Sequence, residues 1–127
     1  MLFRSVIEGP GGALTISAFL LRHGNIPALG YRIDDTAYTP DLHDIPEESF
    51  AALQNLDLWI IDGLRYKHHP SHFNIETALR WIERFAPKCA VITNMSADVD
   101  YATLSGQLPP NVIAAFDGMR LEVGSSD

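Results

Sequence analysis

The N-terminal third of the chain carries the pattern of a β-hairpin. Ala13–Arg22 and Ile26–Ile33 are apolar and β-prone with partial alternation, and Gly24-Asn25 supplies turn residues between them. Gly9–Gly12 precedes the first of these strands and is predicted as a turn, because it does not open a helix. A short extended stretch is expected at Thr36–Tyr38. The chain therefore begins as an antiparallel β-structure.

The middle of the chain alternates between buried strands and helices. Leu56–Asp62 and Cys89–Thr93 are short, nearly continuous apolar runs, which are typical of strands covered on both faces. Between them, Ile75–Ala86 places its apolar residues on one helical face at i, i+3 and i+4 spacing. Further helices are predicted from Pro46 to about Leu53, where acidic residues follow a proline, and within Asp98–Leu108.

The C-terminal segment predicts a second hairpin. Val112–Phe116 and Met119–Val123 read as strands around Asp117-Gly118, a dipeptide that favours tight hairpin turns. A hairpin followed by alternating strands and helices indicates the α/β class, with a sheet beneath helices.

Composition narrows the class of protein. The 127 residues suffice for one domain, and a formal charge of −7 gives no attraction to nucleic acid or anionic membranes. One cysteine excludes an internal disulfide framework, and no apolar run approaches the roughly 20 residues that cross a bilayer. The N-terminus lacks the apolar region of a signal peptide, so a cytoplasmic location is expected.

Most chemistry-capable side chains follow the carboxyl end of a predicted strand. His23 follows the first strand, Asp41 follows Tyr38, and a His-rich loop follows Asp62. Asn94 follows the Cys89–Thr93 strand. Ligand sites of open α/β sheets lie at this edge, so these residues are expected to converge.

Each of these residues also has a purely structural interpretation. His23 could be a turn residue bonded to a carbonyl group, His68 and His69 could be solvated, and Asp62 could only fix its own loop. Asn74 is the better candidate for a helix N-cap, and Asp100 for capping the short helix. Imidazole and carboxylate groups at one edge nevertheless suit Zn²⁺ or Mn²⁺.

Several short motifs, in order, resemble one family. They are His23-Gly24, Gly30-Tyr-Arg-Ile33, Tyr38-Thr-Pro-Asp41, Leu56–Asp62, Leu64-Arg65, His69-Pro-Ser-His-Phe73, Val91-Ile-Thr-Asn-Met95, Asp100-Tyr101, Leu108-Pro109 and Asp117-Gly-Met119. From about Leu14 to Val123 the chain resembles the C-terminal half of metallo-β-lactamase-fold hydrolases. The nearest branch is that of the phosphoribosyl cyclic phosphate phosphodiesterase.

The resemblance implies a set of roles in the hydrolysis of a small phosphorylated substrate. Two divalent metals, Zn²⁺ or Mn²⁺, would be held in the parent enzyme, with His23 as a ligand and Asp41 as the bridging carboxylate. His72 would contact the phosphate or act as general acid, and His69 beside it would bind substrate. Asn94 stands where the family has its last metal-binding histidine, and an amide oxygen is a much weaker ligand.

The resemblance also implies a missing half. The family's His-x-His-x-Asp-His cluster does not occur here, so residues 1–127 are expected to form one partial domain. That domain would be the C-terminal half of an αββα sandwich, one sheet with helices on one face. Its other face would be apolar and exposed, favouring self-association or pairing, and the isolated chain would show little turnover.

Two alternatives remain beside the hydrolase. The chain could be a non-catalytic half-domain that pairs with a complementary chain carrying the other half. It could also be a small α/β binding domain whose histidines are unrelated, in which case His23, Asp41 and His72 would not converge.

Overall fold

The computed structural model describes residues 2–123, and only the backbone of Leu2. Seven strands form one mixed sheet whose spatial order is the order of the chain. Their bounds are β1 Leu2–Gly9, β2 Gly12–His23, β3 Ile26–Ile33, β4 Thr36–Thr39, β5 Leu58–Asp62, β6 Cys89–Thr93 and β7 Val112–Ala114. A 3-10 helix spans Glu47–Leu53, α1 spans Ile75–Phe85 and α2 spans Tyr101–Gln107.

The first four strands form an antiparallel meander, and the last four run parallel. The predicted hairpin of β2 and β3 is confirmed, with Gly24 at φ 61° in its turn. The strand β1 was not predicted. It pairs with β2 along its whole length, from Leu2 opposite Phe19 to Gly9 opposite Gly12. The strand conformation of β1 therefore depends on pairing with the long β2 strand, and its own sequence does not indicate it.

All three helices predicted from the sequence are present, and the first of them is of the 3-10 type. Asn74 caps α1 by accepting a hydrogen bond from the Thr77 N–H (2.8 Å), and Asp100 caps α2 in the same way, as predicted. The segment after Pro46 is a 3-10 helix instead of an α-helix, since the Ser49 N–H bonds the carbonyl of Pro46 three residues before it (2.9 Å).

The predicted C-terminal hairpin is wrong. A turn does form at Asp117-Gly118, where the Met119 N–H bonds the carbonyl of Phe116 (3.0 Å), but Met119–Val123 is not a strand. Val123 instead lines a cavity together with Leu14 at the start of β2 and Ile33 at the end of β3. The alternating pattern of this segment finds no pairing partner, and pattern alone does not make a strand.

All the helices pack on one face of the sheet. Trp59 and Ile61 of β5 and Ile92 of β6 are fully buried there, and the Trp59 ring meets that of Phe85 in α1 at 5.9 Å. The Trp59 indole N–H donates to Thr39 Oγ1 (2.9 Å), which satisfies the polar atom of the largest buried side chain. The predicted arrangement, an α/β sheet with helices on one face, is confirmed.

Over β1 to β4, the opposite face of the sheet, termed the open face, is apolar and accessible. The strand register places six large side chains on it, each between 38% and 54% exposed: Phe3, Ile7, Leu14, Leu29, Tyr31 and Tyr38. Within residues 2–123, every helix is too short or too polar to traverse a lipid bilayer.

Candidate metal site

The candidate site lies at the edge where the parallel strands end. Because β3 is antiparallel to both β2 and β4, and β4 to β6 are mutually parallel, β2, β4, β5 and β6 all run in one direction. His23 ends β2, Asp41 follows β4, Asp62 ends β5 and Asn94 follows β6. The predicted common edge is therefore present.

Three of the predicted residues converge there. One ligand atom from each of His23, Asp41 and His72 lies within 4.8 Å of the other two, and all three residues are half-buried. The rings of His23 and His72 meet edge to face, with centroids 4.7 Å apart. The alternative in which these side chains lie on separate surfaces is excluded by this geometry.

The hydrogen bonds of the two histidines decide which ring atoms face the cluster. His23 Nδ1 lies 2.7 Å from the carbonyl oxygen of Ser71, which can only accept, so Nδ1 carries the proton. His72 Nδ1 lies 2.7 Å from Asp62 Oδ2 and donates to that carboxylate. In the neutral ring, each Nε2 is left with an unshared electron pair.

This donor set fits a divalent metal. Metal-binding histidines almost always donate their second ring N–H to a carboxylate or a backbone carbonyl, and both histidines do so here. Donor atoms around one ion at bond lengths of 2.0–2.1 Å lie at most about 4.2 Å apart. Small side-chain rotations bring atoms within 4.8 Å to that separation.

Asp62 connects the elements of the site. Its side chain is fully buried, and it accepts hydrogen bonds from His72 Nδ1, the Leu42 N–H (3.4 Å) and the Asn94 amide (3.3 Å). Burial raises the pKa of Asp62, while the bond and the charge of His72 act in the opposite direction. The sequence placed Asp62 among the residues expected at this edge, with the fixing of its own loop as the structural alternative. Nothing in the spacing indicated its contact with His72.

Asn94 has an engaged amide group. Its Nδ2 donates to Asp62 Oδ1 and to the carbonyl of Pro40 (3.4 Å), and its backbone has φ 63°, which is uncommon outside glycine. These bonds account for the orientation of the side chain without a metal. Its role as a weak ligand remains a prediction.

His69 differs from the two central histidines in the ring nitrogen that carries its proton. Its Nδ1 accepts from the Ser71 N–H (3.1 Å), so in the neutral ring the proton is on Nε2. Removal from water lowers the pKa of His69, and the nearby Arg65 charge lowers it further. Its ring contacts His72 at 5.1 Å, so a neutral N–H donor stands beside the cluster. His68 lies outside the cluster and is exposed, as one interpretation of the sequence had it.

His43 is a further histidine near the site that the sequence analysis did not single out. Its Nδ1 accepts a hydrogen bond from the Gly24 N–H (2.9 Å), which ties the turn after His23 to the loop after Asp41. The only sequence signal was its position two residues after Asp41.

Comparisons with known proteins agree with this geometry. Residues 4–95 match the family described as beta-lactamase superfamily domain. Among solved structures, a diphosphatase of the PhnP family is 31% identical, with a TM-score of 0.87 over 94% of this chain and 47% of that chain. Two others share the fold at lower identity. Human tRNase Z, short form, is 19% identical (TM-score 0.69, 88% and 44% covered), and YhfI of Bacillus subtilis is 17% identical (0.70, 91% and 51%).

A curated relative is larger. The octanoyltransferase of Porphyromonas gingivalis is 35% identical over 112 residues, which are 84% of this chain and 22% of that protein. The chain thus spans about half the length of the solved structures and about a fifth of the curated relative. That the matched half is the C-terminal one remains a prediction.

Proposed function

Because this chain belongs to the beta-lactamase superfamily domain family, we propose that it supplies the phosphate-contacting side of a metal-dependent hydrolase. The reaction is the hydrolysis of a phosphodiester in a small phosphorylated substrate. The similarity to a PhnP-family diphosphatase, at 31% identity, supports phosphorus chemistry.

The observation that carries the proposal is the orientation of the two central histidines. His23 and His72 both have Nδ1 bonded to a fixed acceptor, and a ligand atom of each lies within 4.8 Å of the Asp41 carboxylate. A capping or solvated histidine has no need of a second histidine and a carboxylate at this distance. A divalent metal held by His23 and Asp41, with His72 beside it as the proton donor, accounts for all three.

Each residue then has a role. His23 and Asp41 hold the metal, Zn²⁺ or Mn²⁺, which when bound polarises the phosphate and activates water. His69 donates its Nε2 proton to a phosphate oxygen. His72 gives an Nε2 proton to the leaving oxygen, and the Asp62 carboxylate holds its ring through the bond at Nδ1.

The isolated chain binds metal weakly under this proposal. Its clustered donors supply part of a coordination shell, and the His-x-His-x-Asp-His sequence that completes it in the family is absent. The exposed apolar residues of the open face favour a second, non-catalytic role, in which the chain pairs with a complementary chain carrying that sequence. In either case catalysis requires the other half.

We do not propose acyl transfer for this chain, although the Porphyromonas gingivalis relative is an octanoyltransferase. Most of that protein lies outside the match, and the three clustered side chains include no cysteine or lysine nucleophile.

The test is a metal titration and a phosphodiesterase assay with Mn²⁺ and bis(p-nitrophenyl) phosphate. It compares the chain alone with the chain co-expressed with the complementary half. We expect turnover only in the pair, and its loss in Asp41→Asn. Asp57→Asn is the control, since Asp57 pairs with Lys88 before β5, at the opposite edge. Unchanged turnover in Asp41→Asn removes the metal-bridging role, and absence of a complex contradicts the pairing.

A further inference from the structure

We infer that Asp62 is a positioning residue. Its buried carboxylate fixes the position of the His72 ring relative to the loop that carries Asp41. The consequence for catalysis rests on the proposed function. The positioning itself is argued from contacts within this chain.

The contact with His72 orients the ring. At 2.7 Å, the bond from His72 Nδ1 to Asp62 Oδ2 restrains the imidazole ring and engages one of its nitrogens, so that Nε2 is the nitrogen left for the cluster with His23 and Asp41. The Asp62 side chain is fully buried at the end of β5, while that of His72 is 17% exposed on a loop ten residues later. A rigid strand end therefore directs a side chain that its own loop would leave free.

The same carboxylate holds the loop that carries Asp41. Its Oδ2 also accepts from the N–H of Leu42, the residue next to Asp41, at 3.4 Å. The Leu42 carbonyl in turn accepts from the Phe73 N–H (2.7 Å), next to His72. Asp62 is thus bonded to the His72 ring and to the Leu42 N–H, and the backbones of Leu42 and Phe73 are bonded to each other.

A structural role alone does not account for this arrangement. A buried carboxylate is costly unless its bonding capacity is filled, and an apolar residue would avoid the cost at a strand end. The partners that fill it, however, are side chains or backbone groups of the candidate site: His72, Leu42 and Asn94. We therefore assign the carboxylate to the orientation of the site.

The experiment compares Asp62→Asn with Asp100→Asn in the full chain. Asp100 also accepts two hydrogen bonds, from Thr103, but caps α2 away from the cluster. Long-range ¹H–¹⁵N NMR reports which ring nitrogen of His72 is protonated, and competition with a chromophoric chelator reports the Mn²⁺ affinity.

In the wild-type chain we expect the proton of neutral His72 on Nδ1. In Asp62→Asn we expect a shifted tautomer of His72. We also expect a loss of about 10- to 100-fold in Mn²⁺ affinity, because the loop that carries the Asp41 ligand loses the carboxylate that anchors it at Leu42. Asp100→Asn should change neither. A wild-type His72 protonated on Nε2, which is measurable even if Asp62→Asn does not fold, overturns the inference, as does a folded Asp62→Asn with unchanged tautomer and affinity.

The two proposals fail separately. A wild-type chain that binds no Mn²⁺ or Zn²⁺ contradicts the proposed function, whereas the tautomer of His72 tests the positioning role without any metal.

Discussion

The Nδ1 atom of His23 lies 2.7 Å from the carbonyl oxygen of Ser71, 48 residues further along the chain. This bond joins the end of β2 to the residue just before His72. The half-buried His23 ring is therefore anchored to the backbone of the loop that carries His72.

Metal binding should depend on His23 and not on an exposed histidine outside the cluster. Replacing His23 with Ala removes one of three converging donors, and we expect the affinity for Mn²⁺ or Zn²⁺ to fall at least about tenfold. His68→Ala is the control, since His68 is an exposed histidine outside the cluster, on the loop that carries His72. Chelator competition measures both variants. Equal losses in the two would mean that binding is non-specific.

Thr39→Val should destabilise the fold although it keeps the size of the side chain. The Trp59 indole N–H, buried beneath the helices, loses its acceptor at 2.9 Å, which costs about 1–3 kcal/mol. Thr15→Val on the exposed part of β2 should change the free energy of unfolding little. Urea denaturation compares them. A Thr39→Val chain as stable as wild type would show that the indole bond contributes nothing.

Two substitutions of glycine by alanine should change the free energy of unfolding in opposite directions. A Cβ at Gly63 would lie 2.5 Å from Ile92 Cγ2 in the core, so Gly63→Ala should lose about 1–3 kcal/mol. Gly106 lies in α2 with no atom near its would-be Cβ, and Gly106→Ala should gain about 0.5–1 kcal/mol. Thermal and urea unfolding give both values, and a stabilised Gly63→Ala would contradict the packing described for β5 and β6.

Asp100 should contribute stability that is lost in acid. Hydrogen bonds from the Thr103 hydroxyl and N–H lower the pKa of Asp100 below its usual 3.8, so its ionised form is favoured in the folded state. The contribution is complete above pH 3.8 and disappears as the pH falls through the lowered pKa. The difference in melting temperature between wild type and Asp100→Ala should therefore shrink in acid. The same difference for Asp98→Ala serves as the control, and a constant Asp100 difference down to pH 2 would contradict the assignment.

The open face should drive association. At tens of micromolar we expect the isolated chain to sediment as oligomers, and Leu14→Glu with Leu29→Glu to shift it towards monomer. Tyr66→Glu with Tyr101→Glu, at exposed positions off the strands, should not. A wild-type chain that sediments as a stable monomer argues against pairing through this face.

The parts of the fold that the sequence predicts are those whose own pattern is sufficient. The continuous apolar runs of β5 and β6 predict buried strands, and the one-sided apolar pattern of α1 predicts a helix packed on the sheet. The strand β1 and the segment Met119–Val123 show the limit. Whether either is a strand depends on a partner elsewhere in the chain, and a local pattern does not contain that information.

The candidate site divides in the same way. The positions of His23, Asp41 and His72 after strands predict that they share an edge, because the topology fixes where the strands end. The bond from His72 to Asp62 crosses a loop of ten residues whose path the sequence does not encode in any period. Which nitrogen of each histidine faces the cluster could be assigned only from the coordinates.

The seven strands lie side by side in the sheet in the same order in which they occur along the chain. Each strand pairs with the one before it, and β6 ends at Thr93, after His23, Asp41, Asp62 and His72 have all been added. A nascent chain emerging from the ribosome can thus assemble every member of the cluster before α2 and β7 have been synthesised.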